Sequence, residues 1–141
     1  MSTTPQPFVI DLNEQASGGY WGRLLDETEN LVPGSLLTTL TLTLYVINAD
    51  NTITIVNSRN KQNVLNANDV QVFNTLQSFT KSDGTVVTYN LFWQIRQGDT
   101  TLVNSNLSHE RHIGLFEWSW PNNHFGKHLV ILSVENLVEV P

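Results

Sequence analysis

Between residues 37 and 46 the chain reads LTTLTLTLYV. Leu40, Leu42, Leu44 and Val46 alternate with Thr39, Thr41, Thr43 and Tyr45. A period of two puts one set on each face of a β-strand, with leucine buried and threonine outward. A helix would scatter the same leucines around its circumference.

The same reading along the chain predicts further strands. They are GYWGRLLD (19–26), TITIV (52–56), VQVF (70–73), TVVTYNLFWQIR (85–96), ERHIGLFEWSW (110–120) and KHLVILSVENLVEV (127–140). In the fifth of the seven, Val87, Tyr89, Leu91, Trp93 and Ile95 are expected on one side. Turn chemistry separates them: Pro33–Gly34, NADN (48–51), KSDGT (81–85) and PNNHFG (121–126). The strands flanking NADN should form a hairpin. NSRNKQNVLNAND (57–69) breaks the pattern and reads as a long structured loop, with room for one helical turn.

Strands parted by turns, with no sustained amphipathic helix, predict an all-β fold. The layout expected is an immunoglobulin-like antiparallel β-sandwich of about seven strands. It should occupy residues 18–141. Residues 1–17, with Pro5 and Pro7, read as a flexible N-terminal arm whose apolar anchor is Phe8, Val9 and Ile10.

Composition narrows the function classes. At 141 residues with 40% hydrophobic side chains, the chain suits one domain with a real core. It has no cysteine, which removes disulfides and thiolate metal sites and fits assembly in a reducing cytoplasm. The net charge of −6, with seven scattered Lys and Arg, disfavours a nucleic-acid backbone as partner. No apolar run approaches membrane-spanning length, and MSTTPQPFVIDLNEQ lacks the pattern of a signal peptide. Neither nucleic acid nor membrane is therefore expected as a partner.

All four histidines fall in HERHIGLFEWSWPNNHFGKH (109–128). On a strand His109 and His112 point apart, whereas Glu110 and His112 share a face that His128 on the next strand could oppose. Glu110, His112 and His128 are thus metal candidates without a known ligand spacing. The simpler reading has these histidines capping paired strands through local hydrogen bonds, with no cofactor. Protonating a grouped set of four would carry the net charge from −6 towards −2 in mild acid, with consequences for any contact they make.

Phe116, Trp118 and Trp120 lie along one face of one strand. They either fill the gap between two sheets or stack on sugar rings if exposed. Core packing is the favoured reading, with Trp120, beside Pro121, the nearest to an exposed platform. Nucleophilic catalysis finds little support: Ser108 merely adjoins His109, and Ser119 has no acid–base partner in view.

Several strings together resemble small structural proteins of tailed bacteriophages that carry an immunoglobulin-like β-sandwich. These are GRLLDETENLVP (22–33), LTLTLY (40–45), IVNSRNKQNVLNANDVQV (55–72), ERHIGLFEWSW (110–120) and GKHLVILSVENLVEV (126–140). The resemblance covers most of residues 19–140, and NSRNKQNVLN is its most distinctive part. FNTLQSFTKSDGTVVTYNLFW (73–93) is longer than the pattern. The resemblance implies a non-enzymatic virion component, at the head–tail neck or decorating the capsid. Such a protein is made in the host cytoplasm, partners itself and other virion proteins, and carries no catalytic residue.

The residues expected to serve assembly are Phe8, Val9 and Ile10 of the arm, with Arg59, Lys61 and Asn63 of the Asn-rich loop. The threonine face of 39–45 adds an uncharged surface that needs cover if it lies at a sheet edge. Two other functions remain: a carbohydrate-binding module using Trp118 and Trp120, and a His-rich metal-binding protein.

Overall fold

The structure, a computed structural model, describes residues 8–13, 16–104 and 108–136. Nine strands appear in it: β1 (Phe8–Asn13), β2 (Gly18–Gly22), β3 (Thr39–Ile47), β4 (Ile53–Ile55), β5 (Gln62–Asn63), β6 (Val70–Thr80), β7 (Val86–Ile95), β8 (His109–Trp120) and β9 (His124–Glu135). Helix is confined, among the described residues, to two 3-10 turns at Gly34–Leu36 and Gln97–Thr100. No described helix is long and apolar enough to cross a membrane.

The strands form two sheets. One runs β1-β9-β8-β3-β4, with β5 also paired to β3, and the other runs β2-β7-β6. Their facing sides share one core: Leu40, Leu42, Leu44 and Phe116 from the larger sheet meet Leu91, Trp93 and Ile95 from the smaller. Trp93 sits edge-on to Phe116, ring centres 5.5 Å apart. That geometry suits the ring quadrupoles.

All seven expected strands are present, and two more join them. β5 is a two-residue strand inside the Asn-rich loop, where no helical turn forms. β1 is the larger departure. Phe8–Asn13, expected within a free arm, pairs in parallel with β9 from Phe8↔Val130 to Asn13↔Glu135. Ile10 and Leu12 alternate towards the core and pack against it. These apolar side chains thus find their cover within the chain itself, which is why the segment is a strand. Residues 1–7, 14–15, 105–107 and 137–141 lie outside the described residues, and with them the ends of the expected arm and last strand.

The leucine–threonine alternation of β3 holds, with Leu40, Leu42, Leu44 and Val46 buried. Its threonines do not mark a sheet edge, because β8 flanks one side and β4 and β5 the other. β7 departs further. Leu91, Trp93 and Ile95 are buried, but Tyr89 contacts Trp21 and Phe79 on the outer face. The β6–β7 pairing slips between Val72↔Leu91 and Gln77↔Tyr89, and such a break re-aims the side chains beside it. Asn90 turns inward there. Its amide takes the backbone N–H of Leu24 and donates to the carbonyls of Leu24 and Val32.

The turns follow their chemistry. Asn51, Asn57, Ser58, Lys61, Asn66, Asn122 and Asn123 all have positive φ, a conformation asparagine tolerates better than most residues. Gly34 is required for a different reason: a Cβ there would sit 2.3 Å from the Val72 carbonyl oxygen. The 3-10 turn at Gly34–Leu36 is thereby held against β6.

Candidate functional site

Arg59, Glu110 and His112, three of the polar residues singled out in the sequence, are brought together around Asp99. Arg59, only 3% exposed, donates from Nε to Asp99 Oδ1 at 2.6 Å and from Nη2 to Asp69 Oδ2 at 2.6 Å. Its guanidinium also lies 5.9 Å from the Trp93 ring centre. Burial works against its charge, but the hydrogen bonds and charges of Asp99 and Asp69 outweigh that and hold its pKa above the ordinary value. Asp99 also accepts from the Asn57 amide and the Arg96 backbone N–H. Its two oxygens are saturated.

The network continues onto β8. His112 Nδ1 lies 2.7 Å from the Asp99 carbonyl oxygen. A carbonyl can only accept, so Nδ1 carries the hydrogen. Nε2 faces Glu110 Oε1 at 2.6 Å, and Glu110 also receives the backbone N–H groups of Val103 and Asn104. Asp99, Glu110 and His112 are fully buried or nearly so. The arrangement ties the Asn-rich loop, the turn at Gln97–Thr100 and the start of β8 together. Asp99, Glu110 and His112 are closed to solvent, and Asp69, at 19% exposed, is its one partly open carboxylate.

The other histidines lie apart. His128 pairs with Phe116 across the β8–β9 ladder, whereas His112 pairs with Leu132, four positions further along β9. His128 therefore does not converge with His112 and Glu110 on one ion. No group of three or more His, Cys, Asp or Glu among the described residues could hold a metal. Tyr20 and His128 Nε2 approach to 2.5 Å, and burial pushes the His128 pKa down to about 4. His124 stacks on Trp120 with ring planes 5° apart and meets Glu27 through Nδ1. His109, exposed at the start of β8, pairs in register with Glu135, so the four histidines stand in four separate surroundings.

The proposed contact residues divide similarly. Val9 is 59% exposed, while Ile10 faces the core; of Phe8 only the backbone is described. Arg59 is internal, a correction to its expected role at the surface. Asp69, Asp99 and Gln62 take hydrogen bonds from all three of its nitrogens. Lys61 and Asn63 remain exposed. Trp118 and Trp120 are 4% and 9% exposed, and Phe116 is buried beside them. This strand face is core and offers no sugar platform.

Aromatic rings do line an outer face, on the smaller sheet. Trp21 of β2 lies 4.6 Å from Phe92, 4.9 Å from Phe79, 5.9 Å from Phe73 and 6.3 Å from Tyr89, centre to centre. Phe79 is 43% exposed. Sequence reasoning passed over this cluster because it draws on three strands. A signal existed in YW (20–21) and FW (92–93): adjacent aromatics on a strand face opposite ways, so one of each pair must point outward.

The larger sheet has an apolar outer row of its own. Val9↔Ile131, Ile131↔Ile113, Ile113↔Tyr45 and Tyr45↔Ile55 are successive register partners across five strands. Ile47 and Ile53, also paired, continue it as exposed side chains.

No protein-family model, curated protein or solved structure matches the chain.

Proposed function

We propose that this chain is a non-enzymatic assembly module of a bacteriophage particle. The observation that carries the reading is the pair of outer faces: the Trp21-centred aromatic cluster with exposed Phe79 on one sheet, and on the other a row whose two ends, Val9 and the Ile47–Ile53 pair, are exposed while Ile131 between them is covered. Exposed large apolar side chains grouped on a face mark interaction sites. Two unlike faces on opposite sides of a sandwich suit head-to-tail contacts, which close into rings or extend as filaments.

The resemblance carried by NSRNKQNVLN and its flanking strings assigns that assembly to a virion, at the neck or on the capsid, with itself and other virion proteins as partners. The finer fold reading agrees with this. In variable-type immunoglobulin domains two extra strands extend the sheet that holds the last two strands, against a facing sheet of four. Here too the last two strands, β8 and β9, lie in the larger sheet, which supports a sandwich of that general kind, although the facing sheet β2-β7-β6 has three strands and there is no disulfide.

The test is incorporation. Phe79→Asp and Val9→Asp place a charge on each outer face without touching the core. Each purified variant should fold, and each should be depleted from virions when it replaces the wild-type chain. Virions that contain both variants at the wild-type level, or that lack the wild-type protein, overturn the reading.

A further inference from the structure

Where the 3-10 turn at Gly34–Leu36 and the loop 64–68 flank the start of β6, they enclose an open groove of about 570 Å³. Leu40, Val64 and Val70 lie beneath it, each 1% exposed, so the surface it offers is mainly polar. Its rim is made of Ser35, Asn66, Asn68, Gln71 and Asn74, with the Phe73 ring beside them. No charged side chain lines it. Asn74 Oδ1 is committed, accepting the Ser35 backbone N–H at 2.6 Å. The side-chain amides of Asn66, Asn68 and Gln71 make no hydrogen bond to other described residues and stand exposed.

We infer that this groove is a binding site for a neutral oligosaccharide. Free amides offer paired donors and acceptors in one plane, which suits vicinal hydroxyls. An apolar ring at the edge suits the C–H face of a pyranose. The absence of charge disfavours sialylated or sulfated sugars, whose anions would lose water without a cation to replace it. A peptide strand added along β6 is opposed at Val72, whose carbonyl is closed off by Gly34. Phe73 also stacks on Trp21, 5.9 Å between ring centres at 20°, which holds its ring in place. This inference does not depend on the assembly reading, which rests on the outer faces.

The experiment is calorimetric titration of the full chain with maltohexaose, cellohexaose, xylohexaose and chitohexaose. Sialyllactose and a heparin hexasaccharide serve as charged probes. Three single variants, Phe73→Ala, Gln71→Ala and Phe79→Ser, accompany the wild type, each checked by circular dichroism. We expect at least one neutral hexasaccharide to bind, and about tenfold or greater weakening in Phe73→Ala and Gln71→Ala, the loss that one ring contact and its hydrogen-bonded neighbour can supply. Phe79→Ser, outside the groove, should bind as wild type. Failure of every neutral sugar to bind overturns the inference. So does preference for the charged probes, or binding lost in Phe79→Ser and kept in the other two.

Discussion

Tyr20 and His128 join the two sheets through a 2.5 Å hydrogen bond, from β2 on one side to β9 on the other. Burial, reinforced by Tyr89, raises the Tyr20 pKa well above its ordinary value. The phenol therefore keeps its proton beside a neutral His128, whose tautomer sets which of the two donates.

Stability should fall in mild acid because of that pair. Burial pushes the folded His128 pKa down to about 4 from 6.5. Between those values the unfolded chain holds a proton that the folded chain refuses, so acid favours unfolding. The contribution is complete above about pH 6.5, declines by about 1.4 kcal/mol per unit below it, and has gone by about pH 4. The loss is on the order of 3 kcal/mol. Urea midpoints for wild type and His128→Phe, taken at pH 7 and pH 5, check this: the variant should lose much less of its stability across the interval. Equal losses in both would remove His128 as the cause.

Asp99 should be among the costliest polar positions to change. Asp99→Ala strips Arg59 of its main partner while leaving the guanidinium buried at the Trp93 ring. Breaking a buried pair from one side costs about 3–5 kcal/mol, largely the penalty of the stranded charge. Arg59→Met in the same background should recover part of it, since the charge goes too. A double-mutant cycle from urea denaturation reads the coupling. Additive losses would show that the contact contributes nothing specific.

The part of this fold legible in the sequence is the part with strict alternation. Leu40 to Val46 declare their faces within seven residues, and Phe116, Trp118 and Trp120 do the same on β8. What could not be read depended on partners far along the chain. Phe8–Asn13 is a short apolar run whose neighbour in the sheet is Val130–Glu135. Arg59 looks like a surface cation until Asp99, forty residues on, is folded against it. The slip between β6 and β7 turned Tyr89 outward, and periodicity carries no trace of such a slip.

Of the four tryptophans, Trp21 alone should be readily reached by a soluble quencher. Trp93, Trp118 and Trp120 are at most 9% exposed, whereas Trp21 is half-buried on the outer aromatic face. Iodide quenching of native wild type should show one accessible fraction, and Trp21→Phe should abolish it, leaving emission shifted to the blue. Persistent quenching in that variant would place Trp118 or Trp120 in water and restore the sugar platform on β8.

Glu110 should control the order of the segment before β8 more than the stability of the sheets. Its carboxylate receives the backbone N–H groups of Val103 and Asn104 at 2.7 and 2.8 Å, and faces His112 Nε2. Glu110→Ala removes all three acceptor contacts from a buried position. Unsatisfied donors cost about 1–3 kcal/mol each when they cannot reach water. The two amides belong to an exposed loop that can swing out, so most of the response should be local opening there. Glu110→Gln keeps one acceptor oxygen and should fall between the two. Amide hydrogen exchange resolves the outcome: Val103 and Asn104 should lose protection in the alanine variant while Leu42 and Leu132 keep theirs. Uniform loss across the sheets would mean instead that Glu110 holds the core together, with the loop following passively.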